Sequence, residues 1–152
     1  KLLEGTQGIG VVLADTKKAA ESVIEAFMGL KANILVQEYI KESEGRDLRV
    51  IVIGGRVVGA MQRKSTDGSF KANISRGGQG EAYDVDDELE MLSIQVAKAL
   101  DLDIAGVDLL FHDDGYRICE ANSAPGFKGF EESLGINIPQ KVFDYASLRT
   151  NS

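Results

Sequence analysis

The feature that most constrains the fold is a pair of strand-length apolar runs joined by two glycines. The stretch "LRVIVIGGRVVGAMQRK", residues 48–64, is rich in β-branched residues on both sides of Gly54 and Gly55. Glycines accept the positive φ angles of a tight hairpin turn without strain. The stretch therefore predicts an antiparallel hairpin whose apolar side chains need covering elements.

Other segments extend this pattern into a mixed fold. A second hairpin is predicted in "DIAGVDLLFHDDGYRICEAN", residues 103–122, a third around the glycine-rich "EGTQGIG" within residues 1–14, and a buried strand in "NILVQEYI". Helical spacing predicts helices over about 16–28, 87–100 and 138–148, with caps at Asp15, at Asp86 or Asp87, and at Asn137. Strands joined mostly by hairpins predict an α+β fold with antiparallel sheets and flanking helices rather than βαβ units.

Composition excludes several functional classes. A formal net charge of −7 argues against a general binder of nucleic acid or of anionic membranes. No apolar run approaches the ~20 residues that span a bilayer. The single cysteine, Cys119, excludes an internal disulfide and is predicted to be a buried core residue. The single histidine, His112, has no evident Ser or Cys partner, which makes a His-dependent triad a poor hypothesis.

The alternation in "YRICEANSAPGF" raises a question of strand register. Glu120 and Asn122 share one face of a strand because side chains alternate. A three-residue turn at 113–115 would place Glu120 opposite Asp108 and Asn122 opposite Gly106, an oxygen-only set that suits Mg²⁺. A two-residue turn at 114–115 would instead send Asp108 and Glu120 to opposite faces. The residues alone leave both registers open.

Two glycine-rich segments have both a functional and a neutral explanation. "EGTQGIG" is not a Walker A loop, yet it could fold over phosphates or be a flexible surface turn. Residues 65–85 lack periodicity and are predicted to form one long mobile loop, in which residues 65–80 would close as a lid. The cations near this loop would contact anions or simply be solvated: Arg49, Arg63, Lys64, Lys71 and Arg76.

Five segments, taken in order, resemble the ATP-grasp superfamily. They are "KLLEGTQGIGVVLA", "ILVQEYIKESEGRDLRV", "FKANISRGG", "AGVDLL" and "EANSAPGFKGFE", and together they extend over nearly the whole chain. The chain is most similar to the RimK-type ligases, which add glutamate to the C-terminus of a small-subunit ribosomal protein. The resemblance implies that further sequence precedes the position of Lys1 in the family. The resemblance therefore implies an ATP-grasp domain that lacks its N-terminal part, with a glycine-flap subdomain over about 1–40 and a metal- and substrate-binding subdomain over 41–152.

The resemblance also implies roles for individual residues. Nucleotide contacts would come from Lys1, Gly5, Thr6, Gln7 and Gly8 at the phosphates, Glu38 and Tyr39 at adenine, Asp47 at the ribose, and Lys71, Ala72 and Asn73 at nucleotide and substrate. Asp108, Glu120 and Asn122 would hold Mg²⁺, or Mn²⁺ in its place, which favours the register that brings them together. Arg63 and Arg76 would contact an acyl-phosphate or a carboxylate. Lysine stands at position 71 where the family commonly has arginine, so a bidentate fork is replaced by a point charge.

The implied activity is ATP-dependent amide formation through an acyl-phosphate. The implied partners are ATP, glutamate or a similar amino acid, and a protein or peptide acceptor, with a ribosomal protein as the expected one. The expectation includes a cytoplasmic location, no direct nucleic-acid or membrane partner, and compatibility with a homo-oligomer. Two alternatives stay open: the same chemistry on an amino-acid carrier protein or a cofactor, and a non-catalytic nucleotide-binding module.

Overall fold

The computed structural model describes residues 1–4, 10–66 and 79–150. The chain divides into two compact units, Lys1–Lys41 and Glu42–Ser152. The α-helices of the described ranges are α1 (Lys17–Gly29), α2 (Asp87–Ala99), α3 (Lys128–Leu134) and α4 (Ile138–Thr150), with a 3₁₀ turn at Lys41–Ser43. The strands are β1 (Arg46–Ile53), β2 (Arg56–Lys64), β3 (Gln79–Tyr83), β4 (Ile104–His112) and β5 (Gly115–Asn122).

The five strands form one antiparallel sheet in the order β3-β2-β1-β4-β5. The hairpin predicted around two glycines is confirmed as β1–β2, with φ values of 58° at Gly54 and 74° at Gly55. The hairpin predicted over 103–122 is confirmed as β4–β5. The α+β class with antiparallel strands and flanking helices is therefore confirmed.

Each face of the sheet packs against different helices. On one face, strand residues such as Leu48, Val50 and Val107 form a core with Leu89 and Ala97 of α2. On the other face, Ile51 and Met61 pack with Phe130 of α3 and Ile138 of α4. Helices α3 and α4 leave part of this second face to polar residues, and that part carries the candidate site described below.

The helix N-caps show where a local sequence signal was sufficient to predict the start of a helix. Asp86 caps α2 by accepting from the backbone N–H of Leu89, and Asn137 accepts from the N–H of Gln140 at the start of α4. Asn137 was predicted as a cap, and Asp86 was one of the two residues predicted for α2. At α1 the predicted cap Asp15 is wrong by one residue, because Thr16 is the residue that accepts from the N–H of Ala19.

Helix α3 was not predicted from the sequence. It is seven residues long, and Phe127 at its N-cap makes no side-chain capping hydrogen bond. A helix this short offers little periodicity, and only its C-terminal Gly135, at φ 67°, carries a local signal. The burial of Phe130 against the sheet stabilises it.

The strands predicted in the first unit are wrong where the structure describes them. Residues 33–40 form no strand, and Leu35 and Val36 are exposed to 42% and 68%. Residues 11–14 form no strand either. The described pairing consists of an isolated bridge between Leu2 and Ile34, so these apolar runs lack the ladder that a strand requires. Residues 5–9 of the predicted glycine hairpin lie outside the described residues.

The predicted loop of residues 65–85 is wrong at its C-terminal end, where residues Gln79–Tyr83 form strand β3. Gln79 and Gly80 belong to β3, which pairs with β2 along Ala60–Lys64. Strand β3 has only five residues and sits at the sheet edge, which explains its weak sequence signal. Residues 67–78 lie outside the described residues, so the lid stays a prediction.

Cys119 is only partly buried, contrary to the expectation of a core residue. It lies in β5, which forms the other edge of the sheet. Edge strands have a neighbour on one side only, which limits burial. Of the helices in the described ranges, none combines the length and apolar character needed to cross a membrane.

Candidate functional site

Four charged side chains meet on the sheet face that carries α3 and α4. Asp47 and Arg49 are two residues apart on β1 and so share a face. Arg63 of β2 lies opposite Asp47, and Asp108 of β4 lies opposite Arg49. Directly paired residues project to the same side of a sheet, and the four side chains therefore form one cluster.

Arg49 and Asp108 form a bidentate ion pair. Nε of Arg49 donates to Oδ1 of Asp108 at 2.7 Å, and Nη2 donates to Oδ2 at 2.7 Å. The side chain of Asp108 is 6% exposed and that of Arg49 is 15% exposed. Two parallel charge-assisted bonds in a poorly hydrated position hold the plane of the carboxylate as well as its charge.

Arg63 connects the two aspartates. Its Nε and Nη2 donate to Oδ1 and Oδ2 of Asp47 at 2.6 and 2.7 Å, and Nη2 also donates to Oδ2 of Asp108 at 2.9 Å. The guanidinium is 11% exposed. The two N–H groups of its Nη1 take part in none of these bonds and could donate to an anionic ligand.

Burial and charge oppose each other in this cluster. Burial raises the pKa of the Asp47 carboxyl, although hydrogen bonding to Arg63 works in the opposite direction. Burial also works to lower the pKa of Arg63, but the carboxylates of Asp108 and Asp47 outweigh it and raise that pKa. The formal charges of two arginines and two aspartates cancel, so the cluster is neutral while it stays fully ionised.

A β-bulge brings Glu120 to this face. The β4–β5 turn consists of Asp113 and Asp114, since His112 pairs with Gly115. This register would place Cys119 opposite Asp108 and would turn Glu120 away. The register shifts between Asp108 and Leu109, and Asp108 then pairs with Glu120.

The predicted pairing at the site is thus confirmed, although the predicted three-residue turn is wrong. Glu120 lies opposite Asp108 and Asn122 lies opposite Gly106. The observed turn is one residue shorter than the predicted turn, and the bulge in β5 adds one residue, so the two differences cancel at Asp108. The bulge has no clear sequence signal, since Cys119 is neither glycine nor otherwise typical of one.

The donor set on β4 and β5 consists of oxygen atoms. Glu120 and Asn122 are exposed, whereas Asp108 is buried. Oδ1 of Asn122 accepts from the N–H of Ala124 at 3.2 Å, which orients the amide within its loop. Within residues 1–4, 10–66 and 79–150, no three His, Cys, Asp or Glu side chains are grouped for a metal. Two carboxylates and one amide suit a hard cation that takes its other ligands from phosphate or water.

The arginines moderate the repulsion between the directly paired carboxylates of Asp108 and Glu120. In the structure both oxygens of Asp108 accept from guanidinium groups. The two acids can therefore pair in the folded protein without a bound metal ion between them.

The other predicted site residues fall into two groups. Lys1, Glu38 and Tyr39 lie in the first unit; Glu38 and Tyr39 are exposed, and Lys1 is partly buried. Their nucleotide contacts stay predictions. The remaining residues lie outside the described part of the chain: Gly5, Thr6, Gln7, Gly8, Lys71, Ala72, Asn73 and Arg76.

Arg49 has no specific role among those predicted from the motifs. The signal was present in the spacing "DLR", because an acid and an arginine two residues apart on a strand share a face. Recognising its partner required the pairing of β1 with β4, which joins residues 59 positions apart.

Solved structures show the class of protein to which this fold belongs. The ATP-grasp ligase PsnB complexed with minimal precursor, Mg and ADP superposes with a TM-score of 0.69 and 25% identity, over 94% of this chain and 44% of that chain. The D-alanine–D-alanine ligase from Bacillus anthracis has a TM-score of 0.62 at 19% identity, over 95% of this chain and 47% of that chain, which is a likeness of fold alone. The fold is that of the ATP-grasp ligases.

The sequence comparisons identify the family. The model of the RimK-like ATP-grasp domain matches residues 1–146, so the chain belongs to the RimK-like ATP-grasp family. It is 53% identical over 145 residues to the "Probable alpha-L-glutamate ligase 1" of Shewanella sp. (strain MR-4) and to the "Probable alpha-L-glutamate ligase" of Methanococcoides burtonii. These matches include 95% of this chain and 48% of each relative, so the chain spans about half the length of the curated relatives it matches.

Proposed function

We propose that this chain supplies nucleotide- and metal-binding residues to an ATP-dependent ligase that adds glutamate to the C-terminus of a protein, with a ribosomal protein as acceptor. The observation that carries the proposal is the cluster of Asp47, Arg49, Arg63 and Asp108, with Glu120 paired beside it. Membership of the RimK-like ATP-grasp family and the names of the relatives support the reaction class.

The reaction has two balanced steps. A carboxylate oxygen of the acceptor attacks the γ-phosphorus of ATP, the bond to the β-phosphate oxygen breaks, and ADP leaves. The amine of glutamate then attacks the acyl-phosphate carbon. Inorganic phosphate departs, and the nitrogen loses a proton as the amide forms. Negative charge grows on phosphate oxygens in both steps, so the residues most needed are donors held in place beforehand.

Arg63 is the described donor best placed for this role. Asp47 and Asp108 hold three of its N–H groups, which fixes the guanidinium plane before any ligand arrives. The two N–H groups on Nη1 would then contact a phosphate or acyl-phosphate oxygen. Arg76 and Lys71 would add positive charge from the segment outside the described residues.

Asp47 is proposed to bind the ribose hydroxyls. Each carboxylate oxygen has about two lone-pair positions, and each oxygen of Asp47 accepts one hydrogen bond from Arg63. The carboxylate could therefore accept from a hydroxyl without releasing Arg63. Gly5 to Gly8, Lys1, Glu38, Tyr39, Ala72 and Asn73 are proposed to contact the rest of the nucleotide.

Asp108, Glu120 and Asn122 are proposed to hold Mg²⁺ or Mn²⁺ together with nucleotide phosphates. A bound divalent cation would neutralise negative charge on the phosphates. The neutral arginine–aspartate cluster offers a cation little attraction without those phosphates, so metal and nucleotide should bind together. PsnB, at 25% identity, was solved with Mg and ADP.

The proposed acceptor is based on the similar proteins and not on a pocket in this structure. Another structure of PsnB, complexed with minimal precursor, matches at 30% identity and a TM-score of 0.61 over 75% of this chain and 37% of that chain. A peptide or protein acceptor is consistent with that relative, and the names of the curated relatives favour glutamate as the amine. A ribosomal acceptor would place the reaction in the cytoplasm. The proposed reaction is also compatible with a homo-oligomer.

The test is amine-dependent release of ADP. This chain, with the full-length relative from Methanococcoides burtonii as positive control, is incubated with ATP, Mg²⁺ and a peptide of a ribosomal-protein C-terminus, with and without glutamate. We expect ADP release only with glutamate and the gain of a glutamyl residue by the peptide, measured by mass spectrometry. Glu120→Gln should abolish both, whereas Glu25→Gln on the exposed surface of α1 should change neither.

The outcomes separate the alternatives. Equal release of ADP with and without glutamate would contradict the ligase assignment. Nucleotide binding without turnover in this chain, beside an active control, would favour a binding module. Turnover with glutamate on a carrier protein but not on the ribosomal peptide would retain the chemistry and overturn the acceptor.

A further inference from the structure

Asp108 accepts more of the described hydrogen bonds from arginine than Asp47 does. Its two oxygens accept three hydrogen bonds: Arg49 donates one to Oδ1, and Arg49 and Arg63 each donate one to Oδ2. A carboxylate has about four lone-pair positions. Counting donors from the described part of the chain, one position is left, and it is on Oδ1.

The two arginines contribute differently to this arrangement. Arg63 shares its donors between Asp47 and Asp108, and it gives Asp108 a single bond. Arg49 gives Asp108 both of its bonds, at 2.7 Å each, through two parallel N–H groups. A fork of this kind fixes the rotation of the carboxylate about its own axis, which a single donor cannot do.

A structural role alone explains part of this arrangement. Asp108 is buried, an unpaired buried carboxylate is costly, and a bidentate fork is a favourable way to pair it. The fork also sets the direction of the remaining lone-pair position on Oδ1, on the face where Glu120 lies opposite. That direction would affect any ligand that binds there, and an effect of Arg49 on such a ligand is what a structural role alone does not predict.

We infer that Arg49 is a positioning residue for the proposed metal site, and that it makes Asp108 a ligand through Oδ1 alone. The inference rests on the proposed function, because it takes Asp108 as a metal ligand. Residues that orient a metal ligand typically affect metal affinity by about 10- to 100-fold. Arg49 would act in this way across the β1–β4 pairing, from the residue directly opposite Asp108.

The inference makes a prediction about metal preference. Mg²⁺ requires near-ideal octahedral geometry, whereas Ca²⁺ tolerates irregular coordination. Arg49→Lys keeps the positive charge and removes the bidentate fork. Freed rotation of Asp108 should therefore weaken ADP binding with Mg²⁺ much more than ADP binding with Ca²⁺.

The experiment measures ADP affinity by isothermal titration calorimetry with Mg²⁺, with Ca²⁺ and with EDTA. It uses wild type, Arg49→Lys, Asp108→Asn and the control Arg56→Lys, whose arginine is exposed at the start of β2. We expect Arg49→Lys to reduce the preference for Mg²⁺ over Ca²⁺ by about tenfold or more. Asp108→Asn should abolish the Mg²⁺ effect, and Arg56→Lys should change nothing.

The outcomes distinguish the inference from the function on which it rests. If Arg49→Lys leaves the metal preference unchanged, or weakens binding equally with both metals, Arg49 is only a structural ion-pair partner. If Asp108→Asn keeps the full Mg²⁺ effect, or if the wild type binds no ADP, the proposed function fails and the inference with it. A thermal melt accompanies each variant. Should Arg49→Lys not fold, Arg49→Gln replaces it, with the same shift expected because an amide cannot form the fork.

Discussion

Strand pairing determines which side chains Asp47 and Arg63 contact. They lie directly opposite each other on β1 and β2, and their bidentate contact leaves only part of each side chain for a ligand. The sequence-based roles, ribose for Asp47 and acyl-phosphate for Arg63, were assigned separately. In the structure the two side chains form one ion pair. A substitution at either residue should therefore change the position or the hydrogen bonds of the other.

Asp47 should discriminate ATP from its 2′,3′-dideoxy analogue. Hydrogen bonds to a charged group contribute about 1.5–3 kcal/mol, and we expect wild type to prefer ATP by about that amount. Asp47→Ala should lose the preference. Calorimetric titration of both nucleotides measures it, with Asp84→Ala as an exposed control. Equal loss of affinity for both nucleotides would show that Asp47 does not contact the ribose.

Gly106 is a position where the backbone approaches a proline closely. A Cβ there would lie 2.6 Å from Cβ of Pro125, in the loop that follows Asn122. Gly106→Ala should lower the free energy of unfolding by about 1–3 kcal/mol, since a rigid ring cannot move aside cheaply.

Gly126 provides the matched control for that substitution. A Cβ at Gly126 meets no heavy atom of the described chain within 4 Å. Gly126→Ala should therefore be neutral or should stabilise the protein by up to about 1 kcal/mol. Chemical denaturation measures both variants, and equal stabilities would contradict the close approach at Gly106.

At the scale of elements, the β4–β5 hairpin and α3 carry the features that the sequence did not reveal. The hairpin combines a two-residue turn with a bulge, and the sum of the two places Glu120 opposite Asp108. Helix α3 covers the apolar half of the same sheet face. Both features depend on contacts between elements rather than on local propensity.

Phe130 should be the anchor of α3. It is 1% exposed and packs against Ile51 and Met61, whereas Phe143 on α4 is 67% exposed. Phe130→Ala should cost about 3–5 kcal/mol of unfolding free energy. Phe143→Ala should stay within about 0.5 kcal/mol. Urea denaturation of both variants decides this, and a small loss at Phe130 would mean that α3 is not held by this contact.

At the scale of the whole molecule, burial is distributed unevenly between the two units. The buried apolar residues of the described chain run from Leu48 to Ile138, all within Glu42–Ser152. Helix α1 of the first unit buries no residue, whereas α2, also 13 residues long, buries Leu89, Ser93 and Ala97. Most of the free energy of folding should therefore come from the second unit.

Hydrogen exchange on the intact chain tests that distribution. Segments with few buried contacts open more readily, so amides of α1 should exchange faster than amides of α2. The comparison is matched, because the two helices have the same length. Equal protection in the two helices would show that the first unit is stabilised as strongly as the second.

The sequence by itself determined the features that depend on neighbours along the chain. Two hairpins, the caps Asp86 and Asn137, and the antiparallel α+β class follow from turn glycines, capping side chains and periodicity. The motifs also identified Asp47, Arg63, Asp108, Glu120 and Asn122 as candidates. The same local reasoning placed strands at 11–14 and 33–40, where apolar residues are present but no ladder forms around them.

The way in which the candidate residues meet depends on contacts between distant parts of the chain. The contact of Arg49 with Asp108 joins residues 59 apart, and that of Arg63 with Asp108 joins residues 45 apart. A one-residue bulge decided which face Glu120 occupies. The physical reason is that strand side chains alternate, so an offset of one residue reverses every orientation, and that offset is selected by packing between strands rather than by the residues of either strand alone.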